Sequence, residues 1–320
     1  MLKTKIALTL TSLALVLTGC TAPNGDVAAF DGIQPTCDKY VGGSAIDSVK
    51  VTLNKEEIPK VEFVTADANA GVKSSLEGIK ATQTKVIREG NGPTFTGDQL
   101  TILEYAVFSA TTGAMLGSSQ WNGSDTAAQV FDKANSKVYC EAMSGVKEGS
   151  VIAFATPQIE NDPEGSLYVF ELKKVYLPRA NGAVSTSPSG LPQVVRDPKT
   201  GRPGLIQPTF SKPTEFNKAV IIEGKGAVVA ATDSVTVHYS GWMWTDRLGG
   251  TFESSWDSQP ATFNLDETIT GFGKALEGAK VGSQVIAVMP PDFAYGAQGN
   301  GSIPGNMTLL FVIDILGINK

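Results

Sequence analysis

Several short motifs of this 320-residue chain occur twice, in the same order and at nearly the same spacing. Ile87-Arg-Glu-Gly-Asn-Gly92 returns as Ile221-Ile-Glu-Gly-Lys-Gly226, 134 residues on; Ser118-Ser119 returns as Ser254-Ser255 at 136; Gly145-Val-Lys-Glu-Gly149 returns as Gly278-Ala-Lys-Val-Gly282 at 133. Pro157 matches Pro290 at 133, whereas Tyr168-Val-Phe-Glu171 matches Phe311-Val-Ile-Asp314 at 143. The first copy is therefore ten residues shorter between the last two markers, where the second carries Phe293-Ala-Tyr-Gly and Ile303-Pro. A repeat of this length asks for one architecture built twice. The competing description is a generic β-rich first half whose matches are accidental.

The second copy reads as strands around one short helix. Val235-Thr-Val-His-Tyr239 alternates, so Val235, Val237 and Tyr239 share one face of a strand. A helical run Ile269-Thr-Gly-Phe-Gly-Lys-Ala-Leu-Glu-Gly278 follows, then Val/Ile/Leu-rich runs at 284–289 and 309–316. Aromatic residues (Tyr239, Phe252, Phe263, Phe272, Phe293, Tyr295, Phe311) are spread over strands, helix start and loop, as a sheet curled round a helix to line an apolar pocket would place them.

These residues resemble the FKBP family of peptidyl-prolyl cis-trans isomerases over about the last hundred residues. The signature is ordered: Val-His-Tyr-Ser-Gly, Thr-Phe-Glu-Ser-Ser, Ile-Thr-Gly-Phe, Leu-Glu-Gly-x-x-Val-Gly, Asp-Phe-Ala-Tyr-Gly, Ile-Pro and Leu-Leu-Phe-Val-Ile. The resemblance implies an α+β fold with two FKBP-like domains, each a curved antiparallel sheet wrapped around one short helix. It also implies that Tyr239, Phe252, Ile269, Phe272 and Phe311 line a proline pocket, with Phe272 as its floor. Tyr295 would offer its hydroxyl, and Ile269 its backbone N–H, to substrate carbonyls. Thr268 and Ile303 would contact substrate, Ile303 from a flap. Glu253 stands where the family usually has aspartate, and its extra methylene displaces the carboxyl. Ala261 replaces a usual phenylalanine, an open wall that argues against macrolide affinity; Asn300 or Gly301 replaces a frequent flap histidine. In the first copy Tyr239 becomes Glu104 (or Tyr105 after a one-residue slip), Phe252 becomes Leu116 and Glu253 becomes Gly117, which implies a copy without activity.

The chemistry fits this inventory. Rotating an X-Pro amide breaks resonance, with a barrier of roughly 18–20 kcal/mol, and needs no covalent step. An apolar pocket with a few fixed hydrogen-bonding groups can bind the twisted amide better than the planar one. No nucleophile, metal or cofactor is called for, and one histidine and three cysteines offer little for either kind of chemistry. His238 lies on the face opposite Tyr239, where solvent or a local hydrogen bond is its expected environment. A net charge of −6 without any Lys/Arg run argues against a nucleic-acid partner.

Residues 1–19 read as a targeting segment. Lys3 and Lys5 precede an apolar stretch, Ile6 to Leu17, too short to be an ordinary spanning helix. Leu17-Thr-Gly-Cys20 resembles a bacterial lipobox, which would make Cys20 a lipidated N-terminus holding the protein to the outer face of a membrane; the alternative is an ordinary secretory signal. Residues 20–43 read as a tether, 44–178 as the degenerate domain, 179–212 as a Pro/Gly-rich linker that either hangs free or lies across a domain, and 213–320 as the isomerase domain. With Cys20 lipidated, Cys37 and Cys140 are the pair left for a disulfide, formed or not. The implied partners are proline-containing extracytoplasmic polypeptides. The rival class is a non-catalytic chaperone or scaffold lipoprotein; a transporter's solute-binding lipoprotein finds no support in the repeat.

Overall fold

The computed structural model describes residues 37–38, 43–54, 58–63, 76, 78–121, 126–131, 134, 136–159 and 162–319. The leader, Cys20 and most of the tether lie outside the described residues. Among those described, no helix is long and apolar enough to cross a membrane.

The architecture is α+β, with antiparallel sheets and two short helices. After β1 (Val49–Thr52) and β2 (Lys60–Phe63), which pair with each other, come β3 (Gln83–Arg88), β4 (Gln99–Ser109), β5 (Met115–Ser118), β6 (Ala127–Phe131), α1 (Lys137–Met143), β7 (Val151–Ala155) and β8 (Ser166–Val175). Next are β9 (Ala183–Val184), the pair β10 (Val194–Arg196) and β11 (Pro203–Leu205), and β12 (Asn217–Glu223). The chain ends with β13 (Ser234–Trp244), β14 (Leu248–Ser254), β15 (Ala261–Asn264), α2 (Thr270–Leu276), β16 (Gln284–Met289) and β17 (Thr308–Asn319).

Two sheets share one plan. The first runs β3-β7-β8-β4-β5 with β6 also on β4; the second runs β12-β16-β17-β13-β14 with β15 also on β13, and adds β9 at its far edge. Bulges recur too: between Val86 and Arg88 as between Val220 and Ile222, and between Ile102 and Leu103 as between Thr236 and Val237. The register pairs Tyr105 with Phe170 and Tyr239 with Ile313, so Tyr105, the slipped alternative, is the counterpart of Tyr239; Glu104 matches His238. Between equivalent pairs Ala155↔Leu167 and Val288↔Leu310 the second sheet carries ten more residues.

Both sheets are covered on both faces. One face of each holds its helix: Cys140, Ala142 and Met143 pack with Leu103, Phe154 and Phe170 in the first, and Phe272, Ala275 and Leu276 pack with Val237, Val285 and Phe311 in the second. That explains why β7 and β16 are buried at every residue: a strand apolar on both faces reads as a continuous run. On the other face of the first sheet lie Ile46, Val49 and Val61 around β1–β2. On the other face of the second lies the stretch expected as a linker. Leu191 is buried against Trp242, Trp244, Ile286 and Leu310, flanked by Val194 and Leu205 of β10–β11, while β9 pairs with β12. Residues 179–212 therefore form a strap that closes the second sheet and take part in its core. Their proline and glycine content shapes the strap's turns without keeping its few apolar side chains from packing.

Cys37 and Cys140 form a disulfide, Cα–Cα 5.7 Å, that ties residue 37 to α1.

Candidate active site

The alternation along β13 builds one wall. Val235, Val237 and Tyr239 face α2, and their intervening neighbours face the strap side. Around Tyr239 stand Phe263 at 5.7 Å, Phe272 at 6.1 Å and Phe311 at 6.2 Å between ring centroids. Phe272 meets Phe263 at 5.2 Å and Phe311 at 5.7 Å, and Phe252 closes on Phe311 at 5.8 Å. Most of these contacts are edge-to-face, the arrangement that ring quadrupoles favour.

Two backbone devices make the cluster possible. A bulge in β14 lets Gly241 pair with Glu253 and Trp242 with Thr251, leaving Phe252 without a cross-strand partner and free to turn inward. Opposite it, a Cβ on Gly241 would stand 2.7 Å from Phe311 Cε1 and 2.8 Å from Phe252 Cζ, so only glycine admits both rings.

Polar groups sit at the rim. The Tyr239 hydroxyl donates to Glu253 Oε1 at 2.6 Å, so the longer glutamate side chain does reach a site tyrosine. Burial first, then the Glu253 carboxyl and Tyr295, push the Tyr239 phenol above its ordinary value of 10, which keeps it a donor. Ile269 precedes α2, and among the described residues nothing accepts from its backbone N–H or bonds the Tyr295 hydroxyl. Tyr295 and Ile303 belong to the 290–307 connection. Its ends are held together where Asn306 N–H donates to Gly296 O at 2.8 Å, and Ile303 is buried against the aromatic cluster. Thr268 instead uses its hydroxyl on Leu265 O at 2.8 Å, fixing the turn into α2. The far end of that helix is closed by Lys218, whose Nζ donates to the carbonyls of Lys274, Ala275 and Glu277.

His238 is not in solvent. It is 8% exposed, stacks on Trp256 at 4.2 Å, and its Nδ1 lies 2.9 Å from Ser255 Oγ, which also accepts from the Tyr239 N–H. Burial lowers its pKa to about 4. Sequence reasoning counted Phe263 among the pocket-lining aromatics but gave neither Gly241 nor Ser255 a role in the site. Gly241 and Ser255 stand within the Val-His-Tyr-Ser-Gly and Thr-Phe-Glu-Ser-Ser motifs, but what each does depends on packing across strands that sequence spacing does not carry.

The equivalent face of the first sheet is filled. Phe154 and Phe170 stand where the second sheet has Ala287 and Ile313, and Tyr168 stands for Phe311. Phe154 stacks on Tyr168 at 4.8 Å and meets Phe170 at 5.0 Å, while the Tyr139 hydroxyl donates to Tyr168 at 3.2 Å. Leu116 and Gly117 replace Phe252 and Glu253, and Leu116 is 60% exposed. Rings thus occupy positions that hold an alanine and an isoleucine in the second sheet.

Comparison with known proteins places these residues in a family. Residues 226–316 match the family model described as FKBP-type peptidyl-prolyl cis-trans isomerase. The chain is 41% identical over 98 residues to a probable FKBP-type peptidyl-prolyl cis-trans isomerase of Haemophilus influenzae, covering 30% of this chain and 39% of that one. It therefore spans well under half of that relative's length. A probable FK506-binding protein of Corynebacterium glutamicum is 34% identical over 116 residues, 36% of this chain and 97% of the relative. A crystal structure of a peptidyl-prolyl cis-trans isomerase from Pseudomonas syringae pv. tomato shares 32% identity, covering 33% of this chain and 76% of that one, with a TM-score of 0.30. With nearly all of the Corynebacterium relative matched, this chain belongs to the FKBP-type peptidyl-prolyl cis-trans isomerase family.

Proposed function

We propose that the pocket around Tyr239 is a peptidyl-prolyl cis-trans isomerase site and that the chain assists folding of proline-containing polypeptides after export. The observation that carries this reading is an aromatic cluster bordered by two groups with no partner among the described residues, the Ile269 N–H and the Tyr295 hydroxyl. A proline ring would lie over Phe272 between Tyr239, Phe252 and Phe311, with Ile303 above it. The two donors would take the carbonyls flanking the proline. Excluding water from the twisted amide, whose charge separation collapses, while holding its neighbours by hydrogen bonds lowers the barrier without a nucleophile. Glu253 would act through Tyr239, orienting its hydroxyl and hence its ring, and Thr268 by setting the angle at which Ile269 enters α2.

In this reading the chain holds two FKBP-like domains. The first, 44–178, is a degenerate copy whose filled concavity does not catalyse. The second, 213–320, is completed by the strap 179–212. Residues 1–19 are a leader, 20–43 a tether, and Cys20 a lipidated anchor on the outer face of a membrane. Ala261 leaves one wall open, so macrolides bind weakly.

A coupled isomerisation assay on X-Pro tetrapeptides tests the proposal. The chain should accelerate cis-to-trans conversion, and Phe252→Ala should lower kcat/KM at least tenfold, about 1.4 kcal/mol of transition-state stabilisation. An inactive chain that still suppresses aggregation of an unfolded client would instead make the fold a holder.

A further inference from the structure

A groove of about 1030 Å³ lies between the two sheets, apart from the proline pocket. Its accessible apolar lining includes the half-buried Ile102 of β4, Leu177, and Ile318 of β17, which lie with the buried Leu100 and Leu316. Its charged side chains are Lys173, Lys174, Lys225 and Glu148, a net basic cluster on a chain of net charge −6. Lys173 lies 3.6 Å from Glu171 and Lys174 4.0 Å from Glu148, partly exposed pairs of the weak kind that an incoming carboxylate can exchange with. The shared bulge accounts for part of this. The Ile102/Leu103 shift leaves Lys173 as the extra residue of β8, and the Thr236/Val237 shift leaves Leu316 as the extra residue of β17; both line the groove. The groove is held open by a fixed junction. The Leu177 N–H donates to Leu316 O at 3.1 Å, the Asn181 N–H donates to Gly282 O at 3.0 Å, and the Tyr176 ring packs over Gly317 while its hydroxyl donates to Asn319.

Two strand edges border it. Ala128 of β6 and Thr262 of β15 are lining residues, and among the described residues β6 pairs only with β4 and β15 only with β13. Thr262 bonds Thr236 and points away from the side that Ala261 and Phe263 present to the pocket.

We infer that this groove is a second polypeptide site, which takes an extended segment of alternating apolar and acidic residues as an added strand. Apolar side chains go to the floor, carboxylates to the three lysines, and the backbone to an open edge. An anionic lipid would satisfy the lysines but not the strand edges, which is why a polypeptide is the occupant. The site needs no proline and stands apart from the isomerase reading.

Fluorescence anisotropy of the full-length chain with a fluorescein-labelled decapeptide of alternating Val and Glu tests it. Saturable binding is expected. It should weaken at least tenfold with the Val/Lys decapeptide, with the Val/Glu peptide N-methylated along its backbone, and in the Lys173→Glu/Lys174→Glu/Lys225→Glu chain, whose thermal melt should match the parent's. Binding that tolerates N-methylation or charge reversal overturns the site. So does lysine-dependent binding to phosphatidylglycerol vesicles without binding to the peptide. Peptide binding by a chain without isomerase activity would sink the proposed function and leave this site standing; isomerase activity without peptide binding would do the reverse.

Discussion

His238 and Asp314 are cross-strand partners on β13 and β17, both buried, on the face that the strap covers. Asp314 accepts from the Ala180 N–H at 2.8 Å and from Gln284 Nε2 at 2.6 Å, and Arg196 reaches Gln284 in turn. Burial pushes its pKa up to about 6, against the hydrogen bonds and arginines that favour its charge. Folding thus favours the protonated acid: this stabilisation is complete below pH 3.8 and is lost as pH rises through 6. His238 has the opposite sign. Folding favours its neutral ring, a stabilisation complete above pH 6.5 and lost as pH falls through 4. Each amounts to something on the order of 3 kcal/mol, so the two slopes nearly cancel between pH 4 and 6. Urea midpoints across that range should fall on acidification in Asp314→Asn and rise in His238→Gln, with the parent between them. An Asp314→Asn slope equal to the parent's would contradict this. At the rim, Tyr295→Phe removes a donor that bonds nothing among the described residues, so it should lower isomerase kcat/KM while leaving the melting temperature within about a degree. A melting loss of several degrees would show the hydroxyl to be structural.

At the level of elements, the strands and helix of the second sheet were legible because periodicity and motif order agree: β13 alternates, and α2 begins at Ile-Thr-Gly-Phe. The bulge that turns Phe252 inward was not, because one unpaired residue leaves composition unchanged. The strap was the larger gap. A continuous apolar run such as Gln284–Met289 requires cover on both faces, yet the sequence left open whether residues 179–212 lie across a domain or hang free. That requirement was in the sequence; which segment would meet it was not, since the strap brings only scattered apolar residues such as Leu191, Val194 and Leu205. Leu191→Ala should therefore cost about 2–5 kcal/mol of stability, as for a core leucine, although its neighbours in sequence are Gly190 and Pro192. A change below about 0.5 kcal/mol in chemical denaturation would return the strap to a loose linker.

Across the whole molecule, one sheet plan appears with two fillings. Rings crowd the first, where Phe154 and Phe170 stand at the positions of Ala287 and Ile313 in the second. The repeat's shorter connection was legible as a gap in spacing, whereas the infilling was not, because it depends on cross-strand register. The Cys37–Cys140 bridge closes a loop with a sequence separation of 103, for which chain entropy predicts up to about 4.7 kcal/mol. Reduction should lower the melting temperature of the first sheet and leave isomerase turnover unchanged; a parallel loss of turnover would mean that the sheets do not act separately. The most direct test of the account compares isomerase kcat/KM in two double variants, Phe252→Ala/Tyr295→Phe in the second pocket and Tyr139→Phe/Tyr168→Phe in the first. The account predicts a loss of at least tenfold in the former and a value within about twofold of the parent in the latter. Retained activity in the former, or its loss in a folded form of the latter, would contradict it.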